Sequence, residues 1–336
     1  MKKRITIKDI ARELNVHHST VSRALRNDPC VNEKTRDQVL AYAREHDYQT
    51  NMNAVQLRGT RNNAIALIVP NINHTFFSDI VSQLTNMAYQ KGYVISVFQT
   101  NEKYQLEKEI VNTIIQHNFA GVIVSKAKDT IDKQHFMTMN KFGIPLVFFD
   151  RICDDMQTPR VIINNFEITS EATELLIKKG YRNIAHLTGT TTNNVFRDRQ
   201  RGYEFAIEKY KMDYRQSVVI EDDFSVEVGK TVLTALMELP QKPDAIISSS
   251  VHITIGIMLE ARKNNIRIPE DLGLITFGSL LSSEIIVPQI TYIDQPETEI
   301  AQLSFDLLEK MMSHEIQIGE LVEKTVHAKI ILKESC

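Results

Sequence analysis

The stretch HHSTVSR, residues 17–23, brings together side chains that three kinds of chemistry could use. Two adjacent histidines could bind a metal ion, and a serine beside a histidine could act as a nucleophile with its base. Serine, threonine and arginine also hydrogen-bond the phosphates and base edges of DNA. The elements that carry this stretch decide between a metal site, a catalytic site and a DNA-binding surface.

Three short helices are predicted around the stretch. The segment TIKDIARELNV predicts a first helix that Thr6 caps, with Asp9 as its capping-box partner. Asn15 tolerates the left-handed backbone, so a tight turn is expected there before a second helix over HSTVSRALRN. Asn32 caps a third helix that packs behind them. Two helices joined by a short turn and followed by a packing helix form the helix-turn-helix arrangement.

In that arrangement the second helix lies in the major groove and presents His18, Ser19, Ser22 and Arg23. Arginine can bond a guanine edge through two hydrogen bonds. A Ser-His pair on a two-turn surface helix, by contrast, has no orienting acid and no pocket. Adjacent histidines point in different directions on a helix, whereas chelating pairs stand four residues apart. The pattern therefore favours DNA binding over metal or nucleophile chemistry.

Net charge differs between the two ends of the 336-residue chain. Residues 1–61 hold 12 Lys and Arg against 7 Asp and Glu, whereas residues 62–336 hold 27 against 35. A small basic head on an acidic body is expected when only the head meets a polyanion. The sequence has no apolar run long enough for a membrane span and no secretory signal, and its three cysteines lie far apart. We therefore expect a cytoplasmic protein without a membrane, metal or cofactor partner.

The head resembles that of the lactose-repressor (LacI/GalR) family of bacterial transcription regulators. The patterns T-x-x-D-I-A, T-V-S-R-x-L and V-N-x-x-T-R, with a Tyr shortly before an Asn, are highly specific for that family. The resemblance extends over nearly the whole chain. It implies that backbone phosphates are contacted by Thr6, Ser22 and Asn51, and that base edges are read by His18, Ser19 and Arg23. Thr20 belongs to the frame that the family shares.

The stretch NMNAVQLRG, residues 51–59, resembles the hinge helix of the family. The resemblance implies that Leu57 wedges into a minor-groove step and kinks the DNA, while Ala54 packs against the hinge of a partner subunit. Arg58 is expected to contact the DNA beside them. Without the resemblance, this stretch would be interpreted as an amphipathic linker. Asn15 replaces the customary turn glycine, and Thr50 replaces a proline, which we expect to loosen the start of the hinge.

From residue 63 on, short apolar runs alternate with amphipathic segments, as in parallel α/β sheets. The runs fall into two sets, residues 64–164 and 165–290, which predict two similar lobes. A late helix and strand would let the chain cross between the lobes more than once. This matches the periplasmic-binding-protein-like core that the resemblance implies, in which two lobes close on a small molecule at the carboxyl ends of the strands.

The sequence thus predicts three parts. Residues 1–50 form a helix-turn-helix DNA-binding domain, residues 51–62 the hinge helix and linker, and residues 63–336 an effector-binding and dimerisation core. Within the core we expect lobe 1 to hold about residues 63–164 and 293–325, and lobe 2 about residues 165–292 and 326–336.

No catalytic motif is visible in the α/β body. The phosphate loop G-x-x-x-x-G-K-[ST], a G-x-G-x-x-G after a strand and the nucleophile elbow G-x-S-x-G are all absent from the sequence. We therefore predict that the protein is not an enzyme. The rival classes are a sugar-processing enzyme, which would turn its ligand over, and a solute-binding protein, which would lack the basic helical head.

Candidate effector contacts stand at the predicted strand ends. NINHTFFSD resembles the Asn-Pro-Phe-Phe segment of the family, FFDR carries the acid that often bonds ligand hydroxyls, and VFRDRQRGYEFA resembles the Arg-x-x-Gly-Tyr element. Arg199 offers a bidentate fork for hydroxyl, carboxylate or phosphate groups, unless it forms a structural ion pair with Asp150 or Asp198. The predicted contacts are Asn73, His74, Phe76, Phe77, Ser125, Asp150, Arg151, Arg197, Arg199, Ser250 and Ser279.

The second lobe departs from the family at two places. SSSVH stands where many relatives carry Asn-Asp, and TFGSLL where they carry Gly-Phe-Asp-Asp. A neutral, serine-rich wall beside Arg199 suits an anionic ligand such as a sugar acid or phosphosugar. The alternative is a cleft that has lost its effector or serves a protein partner.

Together these features predict a sequence-specific transcription regulator, with repression as the commoner mode of the family. A homodimer would place two heads on the half-sites of a pseudo-palindromic operator in the nucleoid. A sugar or sugar derivative in the cleft would change lobe closure and thereby bias the order of the hinge helices.

Overall fold

The chain divides into two compact units, residues 1–62 and 63–336. A computed structural model describes residues 5–46, 48, 63–213, 216–221, 224–279 and 286–336. In the described part, no helix is both long and apolar enough to cross a bilayer.

The first unit contains three helices, α1 (Ile7–Glu13), α2 (His18–Ala24) and α3 (Glu33–Glu45), as the sequence predicts. Ile10, Val21 and Val39, one from each helix, are fully buried and form the centre of a small core. Asn15 adopts a φ of 49° in the turn between α1 and α2, which confirms the expected left-handed residue.

Side-chain caps begin all three helices. The predicted capping box is present: the Thr6 amide donates to Asp9 Oδ2 at 2.9 Å, and the Asp9 amide donates to Thr6 Oγ1 at 3.3 Å. Asn32 Oδ1 accepts from the Lys34 amide at 2.9 Å, so the third cap is also confirmed. His17 caps α2, a role that the sequence did not suggest. Local hydrogen bonds therefore fix where each helix of this unit begins.

The second unit contains two six-stranded sheets. The first has the order β11-β5-β4-β3-β1-β2 with every pair parallel. Its strands are β1 (Ala64–Val69), β2 (Val94–Gln99), β3 (Gly121–Val124), β4 (Leu146–Phe149), β5 (Arg160–Ile163) and β11 (Glu323–Val326). The second has the order β12-β10-β9-β8-β6-β7 and is parallel except for the pair β10–β12. Its strands are β6 (Ile184–Thr188), β7 (Gln216–Val219), β8 (Ala245–Ser248), β9 (Gly273–Phe277), β10 (Thr291–Asp294) and β12 (Lys329–Ile331).

Eight helices connect these strands in the described residues. They are α4 (Thr75–Gln90), α5 (Tyr104–Gln116), α6 (Gln134–Lys141), α7 (Asn165–Lys178), α8 (Asn194–Lys209), α9 (Val226–Met237), α10 (Val251–Lys263) and α11 (Glu297–Met312). The central strands are apolar on both faces because helices cover both sides of a parallel sheet. In β1, for example, residues 65–69 are all fully buried. The α/β fold class with parallel sheets is thus confirmed.

The chain passes between the two sheets three times. It leaves the first sheet after β5, returns from β10 into α11, and ends with β11 in the first sheet and β12 in the second. Helix α11 packs against α4 and the strands β3, β4 and β5 of the first sheet. We call the first sheet with its helices lobe 1 and the second sheet with its helices lobe 2.

Helices α7 and α8 pack very closely in lobe 2. A Cβ placed on Gly202 of α8 would lie 2.2 Å from the Phe166 carbonyl oxygen of α7, so only glycine fits at this crossing. The neighbouring Tyr203 is fully buried, and its hydroxyl donates to the Ile184 carbonyl at 2.7 Å. Gly202 therefore sets the distance between α7 and α8, and with it the position of the side chains on α8.

Candidate functional site

Helix α2 presents polar side chains on the face opposite its buried residues. Val21 and Ala24 are fully buried, whereas His18 and Arg23 are exposed and Ser19, Thr20 and Ser22 are partly exposed. Thr6 is exposed just before α1. A short helix with one apolar and one hydroxyl-rich, basic face can lie in a major groove while it stays anchored to its own core.

Neighbouring side chains hold two of these serines. The Ser19 hydroxyl lies 2.8 Å from His17 Nδ1, and the Ser19 amide donates to the same nitrogen at 3.3 Å. Arg26 donates from Nη2 to Ser22 Oγ at 3.3 Å and from Nε to the Ser22 carbonyl at 3.2 Å. Because His17 Nδ1 accepts a backbone hydrogen bond, His17 is a helix cap and that nitrogen is occupied. No described carboxylate bonds either histidine ring, so the serine lacks the third member of a catalytic triad.

The four predicted hinge residues, Asn51, Ala54, Leu57 and Arg58, lie outside the described residues. Their predicted contacts with DNA and with a partner hinge stay predictions.

A cavity of about 360 Å³ lies between the lobes, at the carboxyl ends of the parallel strands. Lobe 1 contributes residues that follow β1, β2 and β4. Lobe 2 contributes residues at or after the ends of β7, β8, β9 and β10 and residues in the first turns of α8. Eight of the predicted contacts line it: His74, Phe76, Phe77, Asp150, Arg151, Arg199, Ser250 and Ser279. Lining residues that sequence reasoning missed include Glu102, Phe196, Phe224, His252, Phe277 and Gln295.

Three predicted contacts do not line the cavity. Arg197 donates two hydrogen bonds to Asp154, at 2.9 and 3.0 Å, because residues two apart on α8 point to different sides of the helix. Ser125 is fully buried beside Asp150 and is not part of the cavity lining. Asn73 is exposed, and its amide donates to Asn71 Oδ1 at 2.9 Å within the loop after β1.

Arg199 is 4% exposed, and two contacts position its guanidinium group. Its Nε donates to Asn165 Oδ1 at 2.8 Å, and its Cζ lies 3.4 Å from the centroid of the Phe277 ring. Burial lowers the pKa of Arg199 to about 9, although the charge of Asp150 opposes that shift. No described carboxylate forms an ion pair with Arg199, so the suggested pairs with Asp150 or Asp198 are not formed; Asp198 instead lies near Arg197 and Arg201.

On the lobe 1 wall, the charges compensate one another. Arg151 Nη1 donates to both carboxylate oxygens of Glu102 at 2.8 Å, and the Lys128 amide donates to Glu102 Oε2 at 2.8 Å. Burial alone would raise the pKa of Glu102, but Arg151 holds it below its ordinary value. Burial raises the pKa of Asp150, which Arg151 and Arg199 offset only in part. Asp150 also has a φ of 57°, a strained conformation at a strand end.

Direct contacts join the lobes around the cavity. Asn194, the first residue of α8, donates from Nδ2 to the Asp150 carbonyl at 2.9 Å and accepts from the Ile152 amide at 3.0 Å. Lys128 Nζ donates to the Glu221 carbonyl at 2.7 Å. The rings of His74 and His252 meet edge to face, with centroids 5.4 Å apart. The cavity is therefore a cleft whose two walls already touch at its margins.

Two family models match the chain, one in each of its two compact units. The model for bacterial regulatory proteins of the lacI family matches residues 6–51. The model for periplasmic binding proteins and the sugar binding domain of the LacI family matches residues 62–330.

Relatives and solved structures cover almost the whole chain. The NTD biosynthesis operon regulator NtdR of Bacillus subtilis (strain 168) is 28% identical over 98% of this chain and 99% of its own. Catabolite control protein A of Priestia megaterium is 27% identical over 95% of this chain and 96% of its own. The lac repressor dimer bound to operator and the anti-inducer ONPF has the same fold, with a TM-score of 0.85, 21% identity and 99% coverage of both chains. The complex of the transcriptional regulator CelR with cellobiose has a TM-score of 0.73 and 22% identity, and covers 99% of this chain and 100% of its own.

These matches span both the helix-turn-helix unit and the two-lobed unit, and these relatives are regulators rather than enzymes. The chain therefore belongs to the LacI family of bacterial regulatory proteins and is a DNA-binding transcription regulator.

Proposed function

We propose that this regulator represses transcription as a homodimer and that a small sugar or sugar derivative in the interlobe cleft switches its affinity for operator DNA. The observation that carries the proposal is the presence, in one chain, of an exposed reading face on α2 and a lined cleft between two lobes. The lac repressor structure with operator and anti-inducer and the CelR structure with cellobiose support both halves of it. Its place of action would be the cytoplasm, on the nucleoid.

On the DNA side, His18, Ser19 and Arg23 would select bases while Thr6 and Ser22 hold phosphates. His18 and Arg23 are the exposed members of this set on α2, so they reach furthest from the helix core. Asn51, Ala54, Leu57 and Arg58 would add the hinge contacts. Two heads related by a two-fold axis would read half-sites about one helical turn apart, or a multiple of it.

On the ligand side, an effector would bridge the two walls of the cleft. Lobe 1 offers Asp150 and Arg151, and lobe 2 offers Arg199 and Ser250. A ligand that contacts both lobes favours the closed arrangement, and the differential affinity for the closed and open forms is the free energy available to change operator binding.

A mobility-shift titration with operator DNA tests the DNA half. Arg23→Ala should weaken operator binding about 10- to 100-fold, because one bidentate base contact is worth roughly 1–3 kcal/mol. Arg262→Ala is the matched control, since it removes an exposed arginine in the last turn of α10. Equal operator affinity for the parent and Arg23→Ala would show that α2 is not the reading helix.

A panel of sugars tests whether a ligand in the cleft changes operator binding. Thermal shift of the full-length dimer should identify a ligand, and the same ligand should change operator affinity by about 5- to 150-fold, the usual range of allosteric coupling. A panel in which ligands bind without any change in operator affinity would contradict the switch. Loss of every binding signal would favour a cleft that serves a protein partner.

A further inference from the structure

The lobe 2 wall of the cleft carries no acidic side chain among its described residues. Every titratable lining residue on the lobe 2 wall, among the described residues, is Arg199 or His252, and the polar remainder is Ser249, Ser250, Ser279 and Gln295. The two acids of the lining, Glu102 and Asp150, belong to lobe 1. Glu102 is already engaged on both oxygens by Arg151. Asp150 acts on Arg199 through its charge, but no described carboxylate oxygen hydrogen-bonds Arg199 or lies within ion-pair distance of its guanidinium.

The unused part of Arg199 is its outer edge. Nε is bonded to Asn165 and one face of the guanidinium is covered by Phe277. Within the described part of the chain, no acceptor takes a hydrogen bond from its two Nη groups, and the side chain belongs to the cavity wall. Two parallel N–H donors on a fixed, desolvated plane match the two oxygens of a carboxylate or phosphate.

Two helix N-termini reinforce this positive site. The first residues of α4, Thr75 to Phe77, and of α10, Val251 and His252, line the same cavity. The side chain of Ser250 does not accept a hydrogen bond from the first-turn amides of α10, whereas the side chain of Asn193 accepts from the Val195 amide at the start of α8. A helix N-terminus without a side-chain cap leaves amide groups and the positive end of the helix dipole available to an anion.

Phenylalanine rings and aliphatic side chains form the apolar part of the cavity wall. Phe196 and Phe224 stack nearly parallel, with centroids 5.4 Å apart and an interplanar angle of 13°. Phe76, Phe77 and Phe277 line other parts of the wall. The cavity, about 360 Å³, therefore suits a ligand the size of one sugar ring, with an apolar face and one charged group.

We propose that the effector is a small organic anion whose carboxylate or phosphate sits on the Nη edge of Arg199, between the N-termini of α4 and α10. This inference rests on the proposed effector function and deepens it. The ring of the ligand would lie against the aromatic wall, and its hydroxyls would meet Asp150 and the lobe 2 serines.

Matched probes measure the charge requirement on the full-length protein. Calorimetric titration at constant ionic strength would compare glucose, glucuronate, glucose 6-phosphate and inorganic phosphate. We expect at least one of the three anions to bind about tenfold or more tightly than glucose, because a buried charge pair contributes more than a neutral hydrogen bond. A preference for glucuronate or for the phosphates identifies which anionic group the site takes.

Variants locate the binding group. Arg199→Gln should weaken binding of the preferred anion by about 30-fold or more, whereas Arg197→Gln, which removes the same charge outside the cavity, should leave it unchanged. Ser250→Asp places an acid at the N-terminus of α10, where it favours the helix but repels the ligand. It should keep or raise the thermal stability and weaken anion binding at least about tenfold.

Four results would overturn the proposal: tighter binding of glucose than of every anion, no anion binding at about 10 mM, unchanged anion binding in Arg199→Gln, or unchanged anion binding in Ser250→Asp. The operator assay separates this failure from that of the proposed function. If a neutral sugar binds and alters operator affinity, the regulator stands as proposed and only the anionic effector is wrong.

Discussion

The helix-turn-helix unit, which we call the headpiece, and the interlobe cleft differ in how far they bury their functional side chains. On α2, His18 and Arg23 stand exposed on a helix that two buried residues anchor. In the cleft, Arg199 and Asp150 are almost fully buried, and each is held by groups from other elements. Water solvates the headpiece groups in the free protein, so their loss should change DNA affinity with little effect on stability. Changes in or behind the cleft should alter stability as well as ligand binding.

The largest effect is expected for a buried histidine behind the cleft. His186 is fully buried on β6 and stacks on Tyr203 with ring centroids 5.2 Å apart. Burial, and to a lesser extent the charge of Arg199, lowers the pKa of His186 from 6.5 to about 3. Between pH 6.5 and about pH 3, His186 therefore binds a proton in the unfolded chain but not in the folded protein. Stability contributed by neutral His186 is fully present above pH 6.5 and is lost as the pH falls, by about 1.4 kcal/mol per pH unit.

Urea denaturation followed by circular dichroism between pH 7 and pH 4.5 checks this prediction. His186→Leu should remove this pH dependence. The unfolding free energy of the variant should therefore rise relative to that of the parent as the pH falls. Parallel pH profiles for the two proteins would contradict the assignment of a neutral buried histidine.

The second largest effect is expected at the crossing of α7 and α8. Gly202→Ala places a methyl group against the Phe166 carbonyl and should destabilise lobe 2 by about 2–3 kcal/mol. It should also weaken ligand binding, because α8 carries Arg199 and α7 carries Asn165, which positions it. Glu171→Ala, at an exposed site on α7, is the control and should stay within about 0.5 kcal/mol. Ligand affinity equal to that of the parent would show that the close crossing does not position Arg199.

A smaller effect is expected at the headpiece cap. Thr6→Ala removes the hydroxyl that accepts from the Asp9 amide and should destabilise α1 by about 1 kcal/mol. Hydrogen exchange of the α1 amides in the full-length protein would report this as about fivefold faster exchange. Lys8→Ala on the exposed side of α1 should not change exchange, and similar acceleration in both variants would argue against a specific cap.

The smallest effect is expected at Arg197. Its pair with Asp154 is partly exposed, with 36% and 53% of the two side chains accessible, so Arg197→Gln should reduce stability by at most about 1 kcal/mol. Thermal denaturation in low and high salt measures this small, screened contribution. A loss as large as that of Gly202→Ala would mean that the partly exposed pair has a structural role like that of a buried one.

Sequence patterns predicted the headpiece well because its determinants are local. Thr6, Asn15 and Asn32 act on residues within three positions of themselves, through caps and a left-handed turn. The role of His17 was missed because histidine is an uncommon cap, and its function appears only from its bond to the Ser19 amide. The fold class of the body was equally accessible, since buried parallel strands are nearly continuous apolar runs.

The cleft was predictable only in part, because its contacts come from distant segments. Strand ends identified Asp150 and Ser250, and the motif around Gly202 identified Arg199. Glu102 was missed because its role depends on Arg151, 49 positions away. Phe277 and Asn165 likewise become partners of Arg199 only after lobe 2 has folded. Arg197 was misplaced because spacing alone does not say which side of α8 faces the cavity.

Helix α8 also has a mechanical consequence. Asn194 and Arg199 stand on one stiff helix, about 7.5 Å apart along its axis. Asn194 hydrogen-bonds the backbone of Asp150 and Ile152, on both sides of Arg151, whereas Arg199 lines the cavity. Helix α8 of lobe 2 therefore connects the two walls, with Asn194 bonded to lobe 1 and Arg199 facing the cavity. We expect a ligand that shifts Arg199 to shift the strand end of lobe 1 as well, because both contacts are made by the same stiff helix.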